Sequence, residues 1–336
     1  MKNQYSLLIA TSIYALVLVF SPIVVSAQDK TKSTAATSAK AKQKPILVAA
    51  KWLPNQTMTY MFEKTRRAND GAVVVENYEV AVKVLQRSPN KSYQLELTLP
   101  AVHLPGRLYP VTANAEMLKI FDDGIANSKA MRVVVTTDKN GNLEKLDNWQ
   151  EVGAVVRALF ENVFKPMAAE KRDATLKVVE GLYSTELSSR ELTMTDLGIF
   201  LTPLGEEFVP GEERVDDGEY SAGEMGGTIK SQEKWLLKKD QPETGLATIT
   251  IERTFDRDSL TSKVAEFIKK SKFAKTPSAE TLISQMDIRD ASSFVVDLKT
   301  GWLVSAELTR DVGGQVREAS GTTNGSAQTK YRVWRK

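Results

Sequence analysis

Apolar and polar residues alternate along much of this chain, and the alternation predicts an antiparallel β-sheet. In the clearest stretch, 292–309, the apolar residues 294–296 lead into the polar turn 297–301, and every second residue from Trp302 to Leu308 is then apolar. Gly301 closes the turn, at a place where a positive φ angle favours glycine. A comparable hairpin is predicted at 131–146, around the polar turn 138–142.

The same alternation predicts further strands on both sides of the middle of the chain. Each of them places apolar side chains on one face and polar side chains on the other, which is typical of antiparallel rather than parallel sheets. These strands are predicted within 56–63, 74–84, 93–99, 228–238, 246–255 and 329–334.

Between the two groups of strands, the hydrophobic pattern takes the period of a helix. Residues 147–165 carry a wide apolar stripe, begin with Asp147 or Asn148 as a cap that Gln150 completes, and end before Pro166. We expect this stripe to lie against the concave face of the sheet. The other predicted helices are 168–181, 185–197, 260–272 and 278–285.

The N-terminus predicts export. After a short positive start, residues 7–25 are almost wholly apolar, and Val25, Ser26 and Ala27 provide the small residues of a cleavage site. This pattern indicates a secretory signal peptide over 1–27. The alternative is an uncleaved membrane anchor, since the apolar run is nearly long enough to span a bilayer. We expect an exported protein, periplasmic or extracellular, that is soluble after cleavage.

Residues 28–44 form a low-complexity segment of Lys, Thr, Ser and Ala in which a single acid, Asp29, faces several lysines. Such a segment cannot bury enough apolar surface to offset the entropy of ordering it, so we interpret it as a disordered tether. The alternative is that its lysines attach the protein to an anionic membrane surface or polymer of the cell envelope.

The proline-rich segment 100–110 supplies the candidates for ligand binding. It holds His103, the single histidine of the chain, together with Arg107 and Tyr109. Loops on a rigid sheet often carry function, and this one could form a lip over a binding site. The other interpretation is a simple connector between two strands.

An acidic, glycine-rich segment at 205–227 is predicted to be a solvated loop. Calcium-binding loops place their carboxylates at alternating positions around a fixed glycine. Here the carboxylates come in adjacent pairs such as Glu206 and Glu207. We therefore expect no metal site in this segment.

Composition excludes several kinds of site. The chain of 336 residues has no cysteine and one histidine, with a formal net charge of +3. Disulfides, thiolate metal sites and thiol nucleophiles are thereby excluded, as are zinc sites built from three histidines. The small net charge offers no general attraction to nucleic acid. We expect no cofactor and no metal, and no catalytic residue can be named.

These patterns predict the α+β fold class, with a single domain over 45–336. We expect a large twisted antiparallel sheet, shaped like a half-barrel, that curls around the central helices. The strand, Asp-Lys-x-Gly turn, strand and helix of 131–165 resemble bacterial exported envelope proteins of unknown function. The order of the elements also resembles, more distantly, the half-barrel of periplasmic lipoprotein carriers. This resemblance implies an apolar cavity between sheet and helices that holds a lipid or another hydrophobic ligand.

Three functions follow as hypotheses. The first is a non-catalytic binding or carrier protein of the bacterial envelope, and the second is a structural or assembly partner there. The third is a hydrolase that uses a pair of carboxylates, which the sequence alone does not select. A cavity too small for a ligand would favour the second hypothesis, and a buried cluster of carboxylates with shifted pKa values would favour the third.

Overall fold

One open antiparallel sheet of eleven strands organises the computed structural model. The structure describes residues 44–68, 73–90, 92–102, 115–165, 169–221, 228–238, 244–270, 283–318 and 321–336. Its strands are β1 (Ile46–Leu47), β2 (Thr57–Ala68), β3 (Val73–Arg87), β4 (Tyr93–Leu99), β5 (Met131–Thr137), β6 (Leu143–Leu146), β7 (Glu207–Phe208), β8 (Glu213–Ser221), β9 (Thr228–Leu237), β10 (Leu246–Phe255), β11 (Ile283–Asp297), β12 (Leu303–Glu318) and β13 (Gly321–Arg335).

Strands from both ends of the chain belong to this single sheet. Its order is β6-β5-β4-β3-β2-β13-β12-β11-β10-β9-β8, and β1 and β7 form a separate pair. Strand β2 pairs with β13 from Ala68 opposite Ala327 to Tyr60 opposite Arg335. The sheet does not close into a barrel, since β6 and β8 are its two edges. The predicted antiparallel sheet is therefore confirmed.

Five α-helices are described, and the longest run of them connects β6 to β7. They are α1 (Ala115–Ala126), α2 (Trp149–Val163), α3 (Ala169–Leu182), α4 (Glu186–Leu197) and α5 (Arg257–Lys270). A 3-10 helix, Gly198–Phe200, continues α4. The ranges 147–165, 168–181, 185–197 and 260–272, predicted as helices, overlap α2, α3, α4 and α5 in turn, whereas α1 was not predicted.

The prediction that a side chain of Asp147 or Asn148 caps α2, with Gln150 completing the cap, is wrong. Asn148 occupies the N-cap position, but no side chain caps the helix there. The Asn148 amide oxygen instead accepts a hydrogen bond from the Val134 backbone N–H on β5, at 2.8 Å. Asp147 accepts from Thr136 at 2.7 Å. These side chains therefore fix the helix to the sheet.

Helices α2 to α4 share one hydrophobic core with the sheet. The stripe of α2 is buried at Val152, Val156, Leu159, Phe160 and Val163. These residues belong to the same cluster as the inward side chains of the sheet. The rings of Tyr60 on β2 and Phe200 in the 3-10 helix lie 4.9 Å apart. Burial of this apolar surface is the main stabilising contribution to the fold.

A second, smaller apolar region lies beneath α5. This helix packs against β9 and β11, and its residues Leu260 and Val264 are fully buried. Inward residues of the strands, such as Ile229 and Ile288, are also buried but are not part of the main core. The face of the sheet that carries the helices therefore has two apolar regions.

The two predicted hairpin turns are present, and both contact the same N-terminal segment, 48–52. In the later turn, Asp297 accepts a hydrogen bond from the Lys299 N–H at 2.8 Å, and Gly301 has a φ angle of 75°. The backbone of the segment bonds to both turns, since the Ala50 N–H donates to Asn140 at 2.8 Å and the Lys51 N–H donates to Thr300 at 3.0 Å. The segment 48–52 therefore joins hairpins from opposite halves of the chain.

Two expectations need correction, and others lie outside the described residues. The segment 205–227 is not a loop throughout, because 207–208 and 213–221 are strands β7 and β8. Residues 283–285, predicted as the end of a helix, begin β11. The signal peptide, nearly all of the tether and residues 278–282 are not among the described residues. Within the described ranges, no helix is long and apolar enough to cross a membrane.

Candidate functional site

The three residues predicted for ligand binding, His103, Arg107 and Tyr109, lie outside the described residues. Their role stays a prediction. Within the described part of the chain, several charged side chains lie on the face of the sheet that carries the helices.

Four charged residues form a row across neighbouring strands. In the strand register, Glu233 on β9 is opposite Arg253 on β10, Arg253 is opposite Asp290 on β11, and Asp290 is opposite Arg310 on β12. Directly opposed residues share one face of a sheet. We refer to these four residues as the charged row. It separates the main core from the smaller apolar region beneath α5.

Close ion pairs connect the members of the charged row. The Arg310 Nε donates to Asp290 at 2.6 Å, and its Nη2 donates to the other oxygen of the same carboxylate. The Arg253 Nε donates to Glu233 at 2.7 Å. Arg253 and Arg310 are only 7% and 2% exposed. Paired arginine and carboxylate forks of this kind are strong and geometrically specific.

A second buried ion pair connects helix α4 to the centre of the sheet. The Lys64 ammonium on β2 lies 2.8 Å from the Asp196 carboxylate, and the two side chains are 1% and 0% exposed. The Lys64 nitrogen also lies 5.0 Å from the centre of the Tyr331 ring. The Tyr331 hydroxyl forms a hydrogen bond with Asp196. Removing two charges from water is costly, so each of the two charges needs the other to offset its desolvation.

Helix α4 presents a polar stripe to the interior. Ser189, Thr193 and Asp196 are buried, and their spacing places them on one side of the helix. The hydroxyl oxygens of Ser189 and Thr193 have no hydrogen-bond partner among the described residues. Leu192 and Leu197 are buried as well, so the helix is enclosed on more than one side. Part of the contact between α4 and its surroundings is thus polar and incompletely satisfied.

A small cavity lies between α4, the 3-10 helix and strands β10 to β13. Its space accessible to water is about 40 Å³, which suits a few water molecules. Small-molecule sites usually enclose about 300–1,000 Å³. One part of the lining is apolar, with Ile199, Ile251, Phe294 and Leu308, and the other part is polar, with Asp196, Ser292, Tyr331 and three members of the charged row. The cavity is therefore smaller and more polar than the apolar cavity that we expected.

The carboxylates of Asp196, Asp290 and Glu233 do not form a pair suited to acid–base catalysis. Asp196 contacts Lys64, Asp290 contacts Arg310, and Glu233 contacts Arg253. Each carboxylate therefore has a cationic neighbour. Among the described residues, no group of three or more His, Asp or Glu side chains is arranged to hold a metal ion.

The alternation of the strands holds a signal that could have identified the buried cations. Lys64 follows the inward residue Phe62 by two positions, Arg253 lies between Ile251 and Phe255 in the same phase, and Arg310 follows Leu308 by two positions. Each charge thus occupies an inward position of an alternating strand. Their partners could not be found in this way, because they depend on strand register and helix placement.

The buried tyrosines around this site predict alkaline unfolding. Burial, followed by the negative charge of Asp196, raises the pKa of Tyr78 and Tyr331 well above the usual value. Burial also raises the pKa of Tyr60 and Tyr220. The pKa of these phenols is higher in the folded state than the unfolded value of about 10. The resulting contribution to stability is fully present below a pH of about 10 and is lost as the pH rises further.

We therefore expect the free energy of unfolding to fall above a pH of about 10, with these phenols ionising only as the chain unfolds. A titration of phenolate absorbance, with circular dichroism recorded in parallel, measures both events. Ionisation of all tyrosines near pH 10 in a protein that remains folded would contradict this expectation.

Comparisons with known proteins add no relationship to this geometry. No protein-family model matches the chain, and no curated protein matches it.

Proposed function

We propose that this chain is an exported, non-catalytic protein of the bacterial cell envelope, which binds a lipid or another hydrophobic ligand between its sheet and helices α2 to α4. The observation that carries the proposal is the polar contact between α4 and the sheet at Lys64 and Asp196, next to a small cavity that has both polar and apolar lining. Export rests on the predicted signal peptide.

The polar contact supports a helical layer that can separate from the sheet. A core that never opens gains more from apolar packing than from a buried ion pair, whose attraction is largely offset by the cost of desolvation. In addition, the Ser189 and Thr193 hydroxyls are buried without partners among the described residues, which lowers the cost of moving α4 into contact with water. Polar groups at this interface thus favour reversible separation.

The surfaces that separation would expose are suited to an acyl chain. The inward residues of β2 to β5 include Phe62, Val82, Leu97 and Val133, all of which are almost completely buried by the present packing. Helix α2 would supply the opposite wall through its apolar stripe. Because the cavity of about 40 Å³ cannot hold a lipid, the proposal requires that the ligand takes space that the helices now fill.

Native mass spectrometry of protein extracted gently from its own host tests the proposal. We expect a bound mass that disappears on denaturation and is identified as a lipid. Hydrogen exchange of the stripped protein should be faster in α4 than in β2 and β13, and added lipid should change the exchange of α2 to α4. A ligand-free mass after gentle extraction, combined with equal protection of α4 and the central strands, would contradict the proposal.

The small size of the cavity favours the second hypothesis, a structural or assembly partner in the envelope. The β8 edge of the sheet gives its contact surface, since this strand carries Glu213, Asp216, Asp217 and Glu219, whereas backbone groups of β6 bond to Glu186 and Arg190 of α4. Charged or short edge strands resist pairing with other strands, so a partner of β8 would bind through basic groups. Cross-linking in intact envelopes, followed by mass spectrometry, should then capture one partner through β8. No observation favours the hydrolase.

A further inference from the structure

We infer that the polar end of the cavity is a headgroup subsite, in which Arg310 donates a hydrogen bond to an uncharged oxygen of the ligand, such as an ester carbonyl, an amide carbonyl or a hydroxyl. The inference rests on the proposed function, because it assigns the class of lipid that the same site accepts. It goes further by predicting that a neutral headgroup is preferred to an anionic one.

The first observation is an incompletely used guanidinium. The Nε and Nη2 groups of Arg310 bond to Asp290. The Tyr220 hydroxyl also interacts with this guanidinium, yet Nη1 is buried and has no hydrogen-bond partner within the described part of the chain. A buried donor without an acceptor is rare and costly in folded proteins. Arg310 is 2% exposed and lines the cavity, so a ligand in the cavity would lie next to this residue.

The second observation is the charge balance of the site. Lys64, Arg253 and Arg310 supply three positive charges, and Asp196, Glu233 and Asp290 supply three negative charges. None of these six side chains is more than 16% exposed. Two of the carboxylates, Asp196 and Asp290, line the cavity themselves. An anionic headgroup would meet these carboxylates without any unpaired positive charge among the six to offset them.

The shape of the lining agrees with an amphipathic ligand. Arg310, Asp290 and Ser292 form polar lining, while Ile251, Phe294 and Leu308 form apolar lining that belongs to the main core or packs against it. A space of about 40 Å³ is suited to one or two oxygen-bearing groups in place of water. The polar end therefore suits the oxygen-bearing group of a neutral headgroup, while the acyl chain would take the space that separation of the helices opens.

A direct comparison of two lipids with the same acyl chain tests the inference. We would titrate the full mature protein with monooleoylglycerol and with monooleoyl phosphatidic acid, and measure bound fractions by native mass spectrometry and equilibrium dialysis. The neutral lipid accepts one hydrogen bond from the charged Arg310 and avoids the repulsion that the phosphate would meet from Asp196 and Asp290. We therefore expect it to bind at least about tenfold more tightly than the phosphatidic acid.

Two variants examine the role of the subsite. Arg310→Lys keeps the charge opposite Asp290 but removes Nη1, and it should reduce the preference to about twofold or less. Ser292→Leu fills the polar end of the cavity without changing any charge, and it should weaken binding of the neutral lipid about tenfold. This second variant still tests the subsite if Arg310→Lys does not fold. Arg289→Lys, at a side chain that is 68% exposed on the same strand, is the matched control and should bind as the unmodified protein does.

The outcomes are distinct. Equal or tighter binding of the phosphatidic acid, or an unchanged preference in folded Arg310→Lys and in Ser292→Leu, overturns the headgroup subsite and leaves the carrier function standing. Failure of the unmodified protein to bind either lipid overturns the carrier function and the subsite together.

Discussion

Replacing Lys64 with Met, or Asp196 with Leu, is expected to lower the free energy of unfolding by about 3–5 kcal/mol. Either substitution leaves the other charge buried, with a side-chain exposure of 1% or less, and without its oppositely charged partner. The loss should appear as a lower midpoint in urea denaturation of each single variant, with little change in its slope.

The double variant separates the cost of an orphaned charge from the value of the pair. With Lys64→Met and Asp196→Leu together, neither charge remains to be desolvated, so stability should return to the original value or exceed it by about 1–4 kcal/mol. The control is the exposed pair Arg157 and Glu161, with side chains that are 48% and 46% exposed, whose removal should cost less than about 1 kcal/mol. A double variant as unstable as the sum of the singles would show that the polar pair itself stabilises the fold.

This result also bears on the proposed function. If the helical layer must leave the sheet for a ligand to enter, an apolar contact at these two positions should slow uptake of lipid while it raises stability. Stability and ligand exchange would then change in opposite directions, as expected where activity requires a weakly held element.

Replacing Gly301 with Ala is expected to destabilise the protein by at least about 2 kcal/mol. The φ angle of 75° disfavours a side chain, and an added Cβ would lie 2.5 Å from the Ala49 carbonyl oxygen and 2.8 Å from the Ala50 Cα. Both of these atoms are backbone, so no flexible side chain can move to make room. The measurement is thermal or urea unfolding of the variant.

Gly313→Ala is the matched control for this substitution. Gly313 lies in β12 of the same sheet, and a Cβ there would meet nothing within 4 Å. Removing glycine at a permissive position changes stability by about 0.4–1 kcal/mol in the favourable direction. Similar losses in both variants would mean that the contact between Gly301 and the segment 48–52 is unimportant.

Apart from the single large sheet, what the sequence predicted correctly was local. The turn at 297–301 is specified by Asp297 and Gly301 within five residues of chain, and the stripe of 149–163 by helical spacing alone. Strand β8 was missed because it lies at an edge of the sheet, where Val215 is 39% exposed and Tyr220 is its one large buried residue. Its acidic residues therefore mask the alternation that identifies inner strands.

The candidate site was beyond such reasoning for a different physical reason. Asp196 is a polar residue on a short helix, and only the packing of α4 on β2 brings it to Lys64. Asp290 and Arg310 meet because β11 and β12 pair in one register, and a shift by one residue would place them on opposite faces. The chemistry of this interior is therefore specified by tertiary contacts between residues far apart in sequence.

The pairing of β2 with β13 has a consequence for biogenesis. Strand β2 begins at Thr57 and β13 ends at Arg335, so the seam between the two halves of the sheet forms only after the chain between these residues has been made. Contacts of such long sequence separation make folding slow, and incomplete chains would present unpaired strand edges that promote aggregation. Emergence of β13 thus sets the earliest moment at which the two halves of the sheet can join.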